Sequence, residues 1–228
     1  MTSRPMIAGT TALVLGVTAA ILLAHAPAGS SLRNIDMAVS RSVVAHRSDT
    51  LSAIFGWATF LGSVWFLAPA TVLVVALLAL RRRFAAATLV GGAMTGSWIL
   101  TSTLKNTVGR GRPDPSDVIG AINTGFAFPS GHTLNSAVFI GIISGLLITI
   151  SGVHRARVAV PVVAIPLAVL IGFSRIYLGY HWLSDVLGGW AVASGVLAVC
   201  WMLAVWWQGA RQPSSGRDSP VGHTGRHA

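Results

Sequence analysis

The sequence predicts an all-α protein: a polytopic membrane bundle of six transmembrane helices with one interfacial helix. Three observations carry that prediction. Hydrophobic residues make up 53% of the chain and charged residues only 10%, whereas a soluble domain carries about 25% charged residues. Mean hydropathy is +0.70. Six apolar runs free of charge alternate with short polar segments, and a spanning helix needs about 20 such residues. A chain of 228 residues holds one compact bundle and leaves no room for a large soluble domain.

The first run covers 6–23. Arg4 ahead of it and Ala24-His25-Ala26 after it imitate a signal peptide with a cleavage site. The run is nevertheless as long as a span, and Pro27 follows the imitated cut, so a retained helix is expected. The second run, 50–80, has 31 residues, too many for one upright helix. Dividing it at Gly62-Ser63 gives an interfacial helix near 51–60 and a span at 63–80. The remaining spans are 84–104, 133–153, 158–173 and 186–207, the fifth short and carrying Pro161 and Pro166. Residues 1–207 thus form the membrane domain. The polar tail 208–228, rich in Gly, Ser, Pro and Arg, is expected to be disordered and cytoplasmic.

The formal charge of +10 comes from fifteen Arg and one Lys against six Asp and no Glu. The arginines are dispersed between spans instead of clustered on a soluble face. Nucleic acid is therefore not an expected partner; membrane lipids are. Cys200 stands alone in an apolar run, so neither an internal disulfide nor a cysteine zinc cluster is available. Arg81-Arg82-Arg83, packed into one short turn, is the strongest cytoplasmic signal. With six spans both termini are then cytoplasmic. Lys105, His132, Arg175 and His181 all fall at span ends on the opposite, extracytoplasmic face.

That face holds the chemistry. Lys105, Arg112 and Arg175 supply donors and positive charge, and arginine meets phosphate oxygens in a bidentate way. Ordinary interfacial snorkelling is the competing reading for these residues, and for Arg110 it is preferred. Pro129-Ser130-Gly131-His132 stands where the fourth span begins. A helix start offers unpaired N–H groups to an anion, Ser130 can cap it, and Gly131 permits close backbone approach. A plain cap beside an interfacial histidine is the alternative. His181 and Asp185 are spaced i, i+4 and would be neighbours on a helix. A carboxylate on one imidazole nitrogen leaves the other free as a nucleophile, and an idle carboxylate in an apolar helix is costly. His132, His181 and Asp185 could also ligate zinc, but the surrounding cations repel a metal and suit an anion. Asp36 is read as a local partner of Arg33. His25, His46 and His154 are read as interfacial, His223 and His227 as part of the tail. Trp182, Trp206 and Trp207 are read as interface anchors.

These residues resemble the pattern of the type 2 phosphatidic acid phosphatase superfamily, which includes bacterial undecaprenyl-pyrophosphate and phosphatidylglycerophosphate phosphatases and the vanadium haloperoxidases. The pattern is Lys, six residues, Arg-Pro; then Pro-Ser-Gly-His; then Ser-Arg, five residues, His, three residues, Asp. The chain matches it in order at Lys105 to Arg112-Pro113, Pro129 to His132, and Ser174-Arg175 through His181 to Asp185. The resemblance implies that His181 attacks phosphorus, that Asp185 orients it, and that His132 acts as acid and then base. It implies that Lys105, Arg112, Arg175, Ser130 and Gly131 hold the phosphoryl group, with Ser174 either binding phosphate or supporting Arg175. It implies no metal and no cofactor, and a lipid phosphate as substrate, with polyprenyl pyrophosphate ahead of phosphatidate and phosphatidylglycerophosphate. A lipid phosphotransferase with the same intermediate, a haloperoxidase, and a non-catalytic lipid-binding or transport protein are the competing functions.

Overall fold

The computed structural model describes residues 3–25, 27 and 29–210. They form eight α-helices: α1 Ser3–Ala24, α2 Ser31–Ala45, α3 Asp49–Leu61, α4 Val64–Leu80, α5 Phe84–Val108, α6 Gly131–Ser151, α7 Ala156–Tyr177 and α8 Leu183–Ala210. A single 3-10 turn, Pro115–Asp117, interrupts the long α5–α6 connection. No strand occurs among the described residues. The tail beyond Ala210, with His223 and His227, and the Ala26 of the imitated cleavage site lie outside them.

Serine starts four of the helices. Ser30, Ser48, Ser63 and Ser130 have extended backbones, and each side chain accepts a bond from the N–H three residues on. Such a cap contributes about 1 kcal/mol over alanine. Glycine ends two helices: Gly109 closes α5 at φ 64° and Gly152 closes α6 at φ 61°, the left-handed geometry that costs glycine least.

Five helices are individually long and apolar enough to span: α1, α5, α6, α7 and α8. The sixth candidate is the α3–α4 pair, bent by 41° at the expected Gly62-Ser63 break. At 17 residues α4 alone is short of the usual span. The helix expected to be interfacial near 51–60 is α3, which packs against α7. The α2 helix was not anticipated. Its buried side chains are the polar Asp36 and Ser40 while Ile35 is exposed, the reverse of the ordinary amphipathic pattern.

The fifth span is longer than the apolar run. Helix α7 continues to Tyr177 because Ser174, Arg175 and Ile176 are buried in protein, where their polar groups find partners that lipid does not offer. Helix α6 lies at the centre, touching α5, α7 and α8, while α1 runs along α8. Small residues set that last distance. A Cβ on Gly16 would stand 2.5 Å from the Ala191 carbonyl oxygen, and one on Gly195 would stand 2.6 Å from Leu13 Cα. Close backbone approach of this kind is how membrane helices gain contact without a hydrophobic drive. Phe128, Leu134, Val138 and Cys200 belong to the main core.

Candidate active site

Alternating helix directions bring the α5 and α7 C-termini to the same end of the bundle as the α6 and α8 N-termini. Lys105 lies in the last turn of α5 and Arg175 in that of α7, while His132 lies in the first turn of α6 and Asp185 in that of α8. The field acting on His181 comes from Arg175, Lys105 and Arg112, and the same cations together with His181 act on His132. The three sequence motifs therefore converge on one site.

His181 is not on the helix with Asp185. It sits in the bend before α8, where the Tyr180 and His181 N–H groups both donate to the Arg175 carbonyl, at 3.0 and 3.1 Å. Asp185 is the third residue of α8, and its Oδ2 accepts the Trp182 N–H at 2.9 Å. This is half of a capping box, an acid reaching back to the helix entrance. The same Oδ2 lies 3.4 Å from His181 Nδ1. His181 is only 3% exposed. Burial first, and then the three cations, hold its pKa well below the ordinary 6.5. That direction favours the neutral ring, and because a carboxylate only accepts, the Asp185 contact calls for a proton on Nδ1. That tautomer leaves the Nε2 lone pair free, 3.4 Å from Arg112 Nη1.

Two of the three cations are held by backbone carbonyls and the third by a hydroxyl and a ring. Lys105 Nζ donates to Phe126 O at 2.5 Å. Arg112 Nε donates to Gly125 O at 2.6 Å, its Nη1 to Tyr180 O at 2.8 Å and its Nη2 to Phe126 O at 3.2 Å. Arg175 Nη1 donates to Thr59 Oγ1 at 2.5 Å, and its guanidinium lies 4.0 Å over the Tyr180 ring. Its Nε is buried with no hydrogen-bond partner. Each side chain keeps donors beyond these bonds, since an ammonium has three and a guanidinium five.

The remaining motif residues divide. Ser130 is fully buried and caps α6, its Oγ accepting from Thr133 N and Thr133 Oγ1. The space a Gly131 side chain would fill meets the Thr101 methyl at 3.2 Å, so the close approach at Gly131 is that of α5 to α6. Ser174 is fully buried and donates to Ile171 O at 2.6 Å within α7, which commits its hydroxyl proton to its own helix. His132 is partly exposed and packs its Cβ beside Gly62. Among the described residues no group of three His, Cys, Asp or Glu side chains is arranged to hold a metal ion.

Two sequence readings are overturned. Arg110 is not a snorkelling residue: it is buried, with Nη1 2.7 Å from Asp185 Oδ1 and Nη2 2.7 Å from Asp36 Oδ2. Asp36 is not paired with Arg33 but is fully buried against Arg110 and Ser184. Arg33 instead lies 5.0 Å over the Trp182 ring, and the Trp182 indole N–H donates to Gly111 O at 3.0 Å. Trp182 thus ties the site loop as well as facing outward. Ser184 and Thr59 were also missed. The Asp36 and Ser40 spacing on one helical face was one available signal.

Residues 86–209 match the PAP2 superfamily profile. Phosphatidylglycerophosphatase B of Bacillus subtilis is 31% identical over 173 residues, covering 75% of this chain and 84% of that protein. An undecaprenyl-diphosphatase of Sulfolobus acidocaldarius is 30% identical over 86 residues, covering 36% of each chain. The fold is similar to the crystal structure of a transmembrane PAP2 type phosphatidylglycerolphosphate phosphatase from Bacillus subtilis, with TM-score 0.76 and 27% identity, covering 91% of this chain and 99% of that one. Aquifex aeolicus LpxE shares the fold at TM-score 0.53 and 23% identity, covering 74% of this chain and 94% of that one. Helix order, motif geometry and these relatives agree: the chain belongs to the PAP2 superfamily and is a membrane phosphatase of that family.

Proposed function

We propose that the protein hydrolyses a lipid phosphate through a phosphohistidine on His181, without a metal, at the extracytoplasmic leaflet. The observation that carries this reading is the buried His181, backed by Asp185 at Nδ1 and faced by Arg112 at Nε2. In the first step Nε2 bonds to phosphorus as the P–O bond to the lipid breaks, and His132 gives its proton to the leaving oxygen. Asp185 stabilises the charge that the phosphorylated imidazole acquires. In the second step His132 takes a proton from water, the oxygen bonds to phosphorus, and the P–N bond breaks to release phosphate. Lys105, Arg112 and Arg175 bind the phosphoryl oxygens, and charge stabilisation of this kind is most of phosphoryl-transfer catalysis. The cation cluster also disfavours a metal ion at the same place.

Arg81, Arg82 and Arg83 lie at the opposite end of the bundle, between α4 and α5, which supports a cytoplasmic assignment for that end. The more extensive relative acts on phosphatidylglycerophosphate, by its name, so that lipid is the first substrate to test and a polyprenyl pyrophosphate the second. The test is phosphate release by purified protein in detergent with EDTA, from both lipids, with His181→Ala as control. Release that disappears in the variant supports the reading. Release that persists in the variant, or that stops with chelator and returns with zinc, contradicts it.

A further inference from the structure

The motifs explain six charged or titratable groups and leave one buried charged cluster without a role. Arg110 is its centre. We infer that Asp36 and Arg110 are positioning residues for the nucleophile: Asp36 orients Arg110, and Arg110 holds the Asp185 carboxylate turned toward His181. The inference rests on the function proposed above.

Arg110 Nη1 donates to Asp185 Oδ1 and to Ser184 Oγ, each at 2.7 Å, and Nη2 donates to Asp36 Oδ2 at 2.7 Å. Asp36 Oδ1 accepts the Ser184 N–H at 2.9 Å, and its Oδ2 also accepts the Ser184 hydroxyl at 2.5 Å. The Asp185 oxygen that Arg110 takes is the one not facing His181, so Arg110 and the Trp182 N–H together fix the carboxylate plane. Side-chain exposures are 6% for Arg110 and 0% for Asp36 and Asp185. Arg110 therefore meets no lipid phosphate from solvent, and its charge acts through Asp185. A buried ion needs a partner of opposite charge, and here two carboxylates share one guanidinium through Nη1 and Nη2, while its Nε is buried without a hydrogen-bond partner. Asp36 comes from α2, outside the residues 86–209 that carry the family profile. The catalytic charge network is thus closed by an N-terminal element, as Thr59 of α3 does for Arg175.

The experiment uses the full chain in detergent, with Asp36→Asn, which keeps the shape and removes the charge, and Ser184→Ala, which keeps both charges and removes the bridging hydroxyl. Two readouts are taken. One is the single-turnover rate constant for His181 phosphorylation by radiolabelled dioctanoyl phosphatidate, together with the fraction of enzyme that labels. The other, independent of turnover, is the His181 tautomer by NMR of isotope-labelled histidine. Asp36→Asn should slow labelling roughly ten- to hundredfold, the scale of a small misplacement of a reacting group. Its labelling fraction and KM should be unchanged, and the Nδ1–H tautomer should become a mixture. Ser184→Ala should show a smaller shift in the same directions, and it decides the matter if Asp36→Asn does not fold. An unchanged rate constant and tautomer in a folded variant overturns the inference. A reduced labelling fraction at unchanged rate constant marks a merely structural tie and also overturns it. A tautomer shift in a protein whose wild type labels no histidine upholds the positioning and overturns the phosphohistidine reading instead.

Discussion

Asp185→Asn is the substitution whose effect the geometry specifies most fully. Both Asp185 oxygens are acceptors: Oδ1 takes Arg110 Nη1 at 2.7 Å, and Oδ2 takes the Trp182 N–H at 2.9 Å with His181 Nδ1 at 3.4 Å. Asparagine has one oxygen and one NH2 in the same shape, so one of these places must receive a donor facing a donor. If the amide nitrogen faces Arg110, a buried guanidinium loses one of its two carboxylate partners. If it faces His181, the ring must present a lone pair at Nδ1 and carry its proton on Nε2, and the nucleophile is gone. Leaving a buried donor unsatisfied costs about 1–3 kcal/mol of stability. The wrong tautomer in a comparable triad costs about 10⁴-fold in kcat. The predicted outcome is therefore a folded protein with a modestly lowered Tm, kcat lower by three to four orders of magnitude on that scale, and KM little changed. Steady-state kinetics on a short-chain lipid phosphate reads all of this. Activity within about tenfold of wild type, on that same scale, would refute the orienting role.

The remaining predictions concern pH, packing and the phosphate pocket. The folded state holds His181 neutral well below its ordinary 6.5, so below about pH 6.5 the unfolded chain binds the extra proton. This contribution to stability is complete above that pH and falls on acidification by at most about 1.4 kcal/mol per pH unit. The acid loss should be smaller in His181→Asn, and parallel Tm curves for the two proteins would contradict the assignment. Gly16→Val should loosen α1 from α8, because its Cβ alone would stand 2.5 Å from Ala191 O; a cost of about 1–3 kcal/mol is expected, read as a lowered Tm in detergent. Orthovanadate should compete with the lipid substrate, and purely noncompetitive inhibition would count against a phosphate-shaped site beside Arg112 and His181.

The parts of the fold and site legible in the sequence were those written locally. Six spans followed from runs of apolar residues, and the α3–α4 break from a run too long for one helix with Gly62-Ser63 inside it. Lys105, Arg112, His132, Arg175, His181 and Asp185 stood out because ionisable groups are rare in such a chain and their spacings are short and fixed. Long-range pairing was not legible. Arg110 and Asp36 are separated by 74 residues, and nothing in either segment names the other. Asp36 was misassigned to Arg33 because sequence proximity stood in for spatial proximity. Helix α2 escaped notice because it buries polar groups, which inverts the periodicity by which helices are recognised. The i, i+4 spacing of His181 and Asp185 suggested the right contact by the wrong geometry: the helix starts after His181, and a capping interaction brings the carboxylate back to it.

The most direct test of the central claim is the covalent intermediate itself. His132→Ala removes the group that protonates the leaving oxygen and then activates water, while leaving His181 and Asp185 in place, so a radiolabelled phosphomonoester whose leaving group needs no proton should leave its phosphoryl group on the protein. The account predicts an acid-labile, alkali-stable label that maps to the peptide carrying His181 and that does not form in the His132→Ala, His181→Ala double variant. A wild-type enzyme that hydrolyses the lipid while the label is absent, or is carried by another residue, would contradict it.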